Sequence, residues 1–113
     1  MTNHAIQELI ERLPGAFLPE KAAGVDATVQ FNLSGPEGGD WYLTIQDQKC
    51  TVSPGQAANP RLIFEASAQD CLDILTGKLD AMRAYMQGKL RLKGDLNTAM
   101  KLTGYFSVQK MGS

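Results

Sequence analysis

Apolar residues recur along this chain with two periods, and the points where one period gives way to the other mark out its elements. Ile6, Leu9, Ile10 and Leu13 fall at i, i+3, i+4 and i+7, with Gln7, Glu8, Glu11 and Arg12 on the opposite side. That spacing predicts an amphipathic helix, stopped by Pro14 and Gly15. "PEKAAG" (19–24) reads as one further turn, opened by proline and closed by glycine. From Val25 the period becomes two: Val25, Ala27, Val29, Phe31 and Leu33 alternate with Asp26, Thr28, Gln30 and Asn32. A strand with one wet face follows. "SGPEGGD" is a loose hairpin loop, and Trp41, Leu43 and Ile45 continue the alternation in a second strand. "QDQK" turns the chain into a third strand, 50–53. The longest connection is "PGQAANP" (54–60), after which Leu62, Phe64 and Ala66 share one face of a fourth.

The remaining segments carry their own start and stop signals. Ser67 with Asp70 three residues on resembles a capping box, and the helix it opens ends at Gly77. Asp80 caps another, with Met82, Tyr85 and Met86 on one stripe and Gly88 closing it. Leu90 and Leu92 then alternate with Lys89, Arg91 and Lys93, a short strand with an apolar and a cationic face. Gly94 lets the chain bend, Asp95 caps, and Leu96, Ala99, Met100 and Thr103 form the stripe of a last helix ended by Gly104.

Composition and charge narrow what such a chain does. Its 113 residues fit one domain, 1–113, with a single core. Hydrophobic residues at 43% and charged ones at 20% are ordinary for a soluble protein, and with neither a bilayer-length apolar run nor a signal-peptide pattern the expected location is cytoplasmic. Cys50 and Cys71 lack CxxC spacing and read as buried thiols, not zinc ligands or a redox pair. Charge is unevenly divided: residues 1–77 carry ten acidic and four basic side chains, residues 78–113 two acidic and seven basic. A cationic third suits either a solvated face or a surface for an anionic partner.

The glycines and lysines of "MQGKLRLKGDLNTAMKL" (86–102) invite a nucleotide reading, which their order refuses. A P-loop runs strand, GxxxxGK[ST], helix, whereas Gly88-Lys89 follows a helix and opens a strand, with no Ser or Thr after the lysine. Nucleic acid is not an expected partner either, because the basic residues alternate with leucine rather than aromatics. The single histidine, His4, is near the start of the chain, and no Ser-His-Asp set or metal-spaced carboxylate cluster appears. No catalytic residue, metal or cofactor is expected.

The order of elements and the stretch "LTGKLDAMRAYMQGKLRLKGDLNTAMKL" (75–102) resemble the sterol carrier protein 2 family, whose signature runs helix, "GKL.I.G", "AMKL". "FNLSGPEGGDWYLTI", "PRLIFEAS" and "DCLDILTGK" fit the same family, so the resemblance covers nearly the whole chain. It implies an α+β fold: a five-stranded, mainly antiparallel sheet with helices packed on one face, enclosing an apolar cavity. It also implies a non-catalytic protein that binds, transfers or presents hydrophobic ligands: fatty acid, fatty acyl-CoA, sterol-like lipid or phospholipid. Two other readings share these residues, a scaffold or dimerisation module with a closed core, and an accessory subunit presenting a lipid to a partner enzyme. Cavity candidates are Phe31, Leu33, Leu43, Phe64, Leu75, Met82, Tyr85, Met86, Leu92, Met100 and Phe106, together with Thr103, which stands where the family often has glutamine. Methionine is flexible and polarizable, a suitable wall for ligands of varied shape. Lys89, Arg91 and Lys93 are the candidates for transient contact with lipid headgroups or an anionic membrane surface. Trp41 is expected as an edge anchor rather than a mouth residue. The C-terminal "QKMGS" lacks the peroxisomal tripeptide of eukaryotic members, which suggests a stand-alone, bacterial-type relative.

Overall fold

The computed structural model describes residues 5–35 and 38–106, without the side chains of Ala5, Ile6, Gln7, Leu9 and Thr103. His4 and the C-terminal "QKMGS" also lie outside the described residues. The first helix, α1 (Ala5–Ala16), buries Ile10, Leu13 and Ala16. It runs through Pro14, where a stop was expected. In the last turn a proline removes only one backbone donor, and burial of Ala16 and Phe17 outweighs that loss. A 3-10 turn at Pro19–Lys21 leads on to Gly24, which has φ 78°.

β1 (Ala27–Ser34), β2 (Gly39–Gln46) and β3 (Lys49–Pro54) form an antiparallel meander. Asp47 (φ 54°) and Gln48 (φ 59°) join β2 to β3 with two successive left-handed residues, the geometry that matches the twist of a hairpin. β4 (Leu62–Ser67) lies beside β1 in parallel, and β5 (Leu90–Gly94) closes the other edge, giving the order β3-β2-β1-β4-β5. One parallel pair among antiparallel ones is the expected mainly antiparallel sheet. Between β4 and β5 stand α2 (Ala68–Leu75) and α3 (Ala81–Met86), and α4 (Leu96–Leu102) follows β5. Each of these helices starts where a side chain caps it. Ser67 Oγ accepts from Asp70 N–H at 3.0 Å, Asp80 Oδ2 from Arg83 N–H at 3.0 Å, and Asp95 Oδ1 from Asn97 N–H at 3.0 Å.

Register decides which side chains meet. Phe31 pairs with Trp41 on one flank and Phe64 on the other, and Phe64 pairs with Leu92, so the four stand in one row across one face of the sheet. Leu43, Val29 and Leu62 form the next row, and Leu33, Ala66 and Leu90 flank the first on its other side. All four helices pack on this face, over a core that includes Ile10, Leu13, Cys71, Ile74 and Ala84. Trp41 is half-buried at the edge of this core, and its indole covers Gly39 so closely that a Cβ there would sit 2.7 Å from the ring. Cys71 is fully buried, but Cys50, expected to be buried as well, is only half-buried because β3 is an edge strand.

On the opposite face the connection from β3 to β4 crosses the strands. Gln30, on the side the alternation marks as wet, is instead 1% exposed. Its Nε2 donates to the carbonyls of Gly55 (2.9 Å) and Trp41 (3.1 Å), and its Oε1 accepts from Ala57 N–H (2.7 Å). One amide thereby pins the connection across the sheet.

Candidate functional site: an apolar pocket under α3 and α4

The inner face of the sheet is not filled at its β1-β4-β5 end. A cavity of about 340 Å³ lies there. Its floor is Phe31, Leu62, Phe64, Leu90 and Leu92, with the Phe31 and Phe64 rings 5.0 Å apart and tilted by 51°. α2 contributes Ile74 and Leu75, α3 Ala81, Met82 and Tyr85, and α4 Leu96, Ala99, Met100 and Leu102; Leu13 of α1 and Phe106 complete the wall. Phe106 is held by the ring of Phe17 at 5.7 Å.

Two of these lining side chains carry polar atoms, Asp80 and Tyr85, and the carboxylate of Asp80 already caps α3. The wall therefore offers burial and dispersion, with few groups to demand a particular polar partner. Four lining residues are at the same time well exposed: Met82 (53%), Tyr85 (43%), Leu96 (47%) and Met100 (69%). They belong to α3 and α4, so the cavity reaches solvent between those helices.

The expected cavity residues divide accordingly. Phe31, Phe64, Leu75, Met82, Tyr85, Leu92, Met100 and Phe106 are brought together around the cavity. Leu43 and Leu33 are not: both are buried in the core, outside the pocket wall. Met86 is a further correction. α3 turns Ala84 inward, which leaves Met86 79% exposed and outside the wall. The side chain of Thr103 lies outside the described residues. Leu62 and Leu90 line the cavity without having been among the expected cavity residues, although they share strand parity with Phe64 and Leu92, and that parity was signal enough. Leu13, Ile74, Ala81 and Leu102 gave no such signal, because only the packing of separate helices brings them to the cavity.

Lys89, Arg91 and Lys93 alternate with the inward leucines and so point from the outer face of β5, away from the cavity. Lys93 Nζ lies 3.4 Å from Glu65 Oε1, and Lys89 and Arg91 border a shallow polar groove shared with Asp40 and Glu65. Acidic neighbours thus accompany all three. The thiols are poor candidates for chemistry, since burial pushes both Cys50 and Cys71 up to about 12. Among the described residues no group of three His, Cys, Asp or Glu side chains could hold a metal ion, and no helix is long and apolar enough to cross a membrane.

A model of the SCP-2 sterol transfer family matches residues 6–107 of this chain. Hydroxysteroid dehydrogenase-like protein 2 of Danio rerio is 27% identical over 106 residues, which are 93% of this chain and 26% of that protein. The chain spans about a quarter of the length of the curated relatives it matches. Among solved structures, palmitated SCP2L2 from Aedes aegypti is 30% identical with a TM-score of 0.72, covering 92% of this chain and 93% of that one. The sec-alkylsulfatase Pisa1 from a Pseudomonas species has a TM-score of 0.77 at 23% identity, over 84% of this chain and 15% of the sulfatase. That likeness is one of fold.

Proposed function

The chain belongs to the SCP-2 sterol transfer family, and from that premise we propose that it is a non-catalytic carrier whose pocket holds the acyl chain of a fatty acid or fatty acyl-CoA. The observation that carries the reading is the cavity itself: about 340 Å³, walled mainly by hydrocarbon and thioether side chains, with exposed lining residues on α3 and α4 at its mouth. That volume lies at the low end of the roughly 300–1,000 Å³ typical of small-molecule pockets, which favours one acyl chain over a two-chain phospholipid. Burying a chain gains about 0.8 kcal/mol per methylene, so length rather than headgroup sets affinity. The relative from Aedes aegypti, described as palmitated, supports a ligand of this kind. A closed scaffold is disfavoured because its core would be filled where this one is not. A cytoplasmic location, where Cys50 and Cys71 would stay reduced, goes with this reading.

A second reading has its own support. The matched region is 26% of the dehydrogenase-like relative and 15% of the alkylsulfatase, so the same unit recurs within longer chains. On this reading the chain serves as an accessory module that presents its lipid to a partner enzyme, and the pocket's role is unchanged.

The test is native mass spectrometry of the protein from cells, followed by thermal unfolding with saturating palmitate. A co-purified single-chain lipid and a raised midpoint are expected, since a ligand that binds only the native state stabilises it by mass action. An unliganded protein whose melting responds to no lipid class removes the carrier reading.

A further inference from the structure

Met82, Tyr85, Met86, Leu96 and Met100 are the large hydrophobic side chains that stand exposed among the described residues, and all five belong to α3 and α4. Four of them form the rim of the pocket. Met86, the most exposed at 79%, extends that rim outward without touching the cavity. Concentrated exposure of this kind marks a contact surface, since isolated apolar side chains scatter over a protein while these cluster at one opening.

Charge on the same elements indicates what the surface meets. Arg83 of α3, Lys101 of α4 and Lys78 just before α3 are exposed, and none takes an ion pair among the described residues. The nearby carboxylates are otherwise engaged: Asp80 caps α3, and Asp95 caps α4 and lies 4.0 Å from Arg61. An apolar rim flanked by unpaired cations complements a bilayer with anionic headgroups, methionine and leucine entering the acyl boundary while Arg83 and Lys101 stay at headgroup level. A second copy would set like charges against like.

We propose that the protein docks on anionic membranes mouth-first, through the α3 and α4 rim, so that a single-chain lipid passes between bilayer and pocket without crossing water. The inference rests on the carrier reading and assigns its membrane surface to the rim instead of the outer face of β5. Exchange through water would expose every methylene of the chain, and docking of the mouth itself avoids that barrier.

Flotation with vesicles of phosphatidylcholine, alone or mixed with phosphatidylserine, tests it, beside uptake of a fluorescent fatty acid from vesicle-free solution. Wild-type protein should float with the anionic vesicles and less so as salt rises. Met86→Asp, and separately the Arg83→Glu/Lys101→Glu pair, should lower the bound fraction about tenfold or more while solution uptake is unchanged. Lys89→Glu/Arg91→Glu should float like wild type. The proposal is overturned if Met86→Asp and the Arg83/Lys101 pair float normally, if the loss is confined to the Lys89/Arg91 pair, or if Met86→Asp instead dissociates a dimer in sedimentation. Failure of solution uptake by wild-type protein that still floats would remove the carrier reading and leave the docking surface standing.

Discussion

Gln30 holds two parts of the fold together through a single side chain, and its substitution has a calculable consequence. In Gln30→Leu the carbonyl of Gly55 and the N–H of Ala57 lose partners 2.9 and 2.7 Å away at a position that is 1% exposed. Each such hydrogen bond between part-buried groups contributes a net of about 0.5–1.5 kcal/mol, so the urea midpoint should fall accordingly. An unchanged midpoint would show that water replaces the amide. Alternation placed Gln30 on the face opposite the core, but the expectation that this position is wet fails, because a distant connection that nothing local could reveal covers it. Asp95 acts through its ionised form. Its carboxyl is held below the usual carboxylate range, first by the hydroxyl of Thr98 at 3.1 Å, against an opposing desolvation, then by the backbone N–H groups of Asn97 and Thr98 and the charge of Arg61. A depressed folded-state pKa contributes stability above the unfolded value, and that contribution is lost as pH falls through the folded one. Asp95→Ala should therefore lower the midpoint at neutral pH and converge with wild type in strong acid; a deficit independent of pH would mean that packing, not the charged cap, was lost.

At the scale of elements, the joint between β5 and α4 fixes one side of the pocket. Gly94 has φ 108°, and a Cβ there would collide with the Arg61 carbonyl, so the strand can turn into the helix only with glycine. Gly94→Ala should cost more than about 1 kcal/mol and weaken fatty-acid binding with it, because Leu96, Ala99 and Met100 depend on that turn. A destabilised variant whose folded fraction binds normally would separate the joint from the site. Met100→Trp probes the same wall from its exposed end. Since Met100 is 69% exposed, stability should change by less than about 0.5 kcal/mol, whereas an indole reaching into the opening should displace the ligand. Wild-type affinity would place Met100 outside the site. Caps at Ser67, Asp80 and Asp95 were legible because each acts within three residues, and the floor was legible from strand parity. Met86 was not: a six-residue helix is too short for its stripe to say which side faces in, and Ala84 rather than a methionine makes the buried contact.

For the whole molecule, the two layers that enclose the pocket differ in how firmly they are held. β1 and β4 pair on both edges and carry Val29 and Leu62 at 0% exposure, so their amides should exchange only when the chain unfolds. The roof rests on less. α3 and α4 are six and seven residues long, Ala84 is the buried residue of α3, and Thr98 and Leu102 those of α4. Helices so short have little stability of their own and depend on packing over a space that is empty without ligand. The roof should therefore open at a free-energy cost below that of global unfolding, which is also what entry of a chain wider than the resting gap requires. Palmitate fills the missing contacts, and because it binds the native state alone it slows exchange through global unfolding by its full binding free energy and exchange through local opening by no more than that. Hydrogen exchange with and without palmitate reads this directly: without ligand α3 and α4 should exchange faster than β1 and β4, and with palmitate both should slow, the roof by as much as the strands where its opening releases the ligand. Protection of α3 and α4 equal to that of β1 and β4 in the unliganded protein would mean that the roof is as rigid as the sheet beneath it.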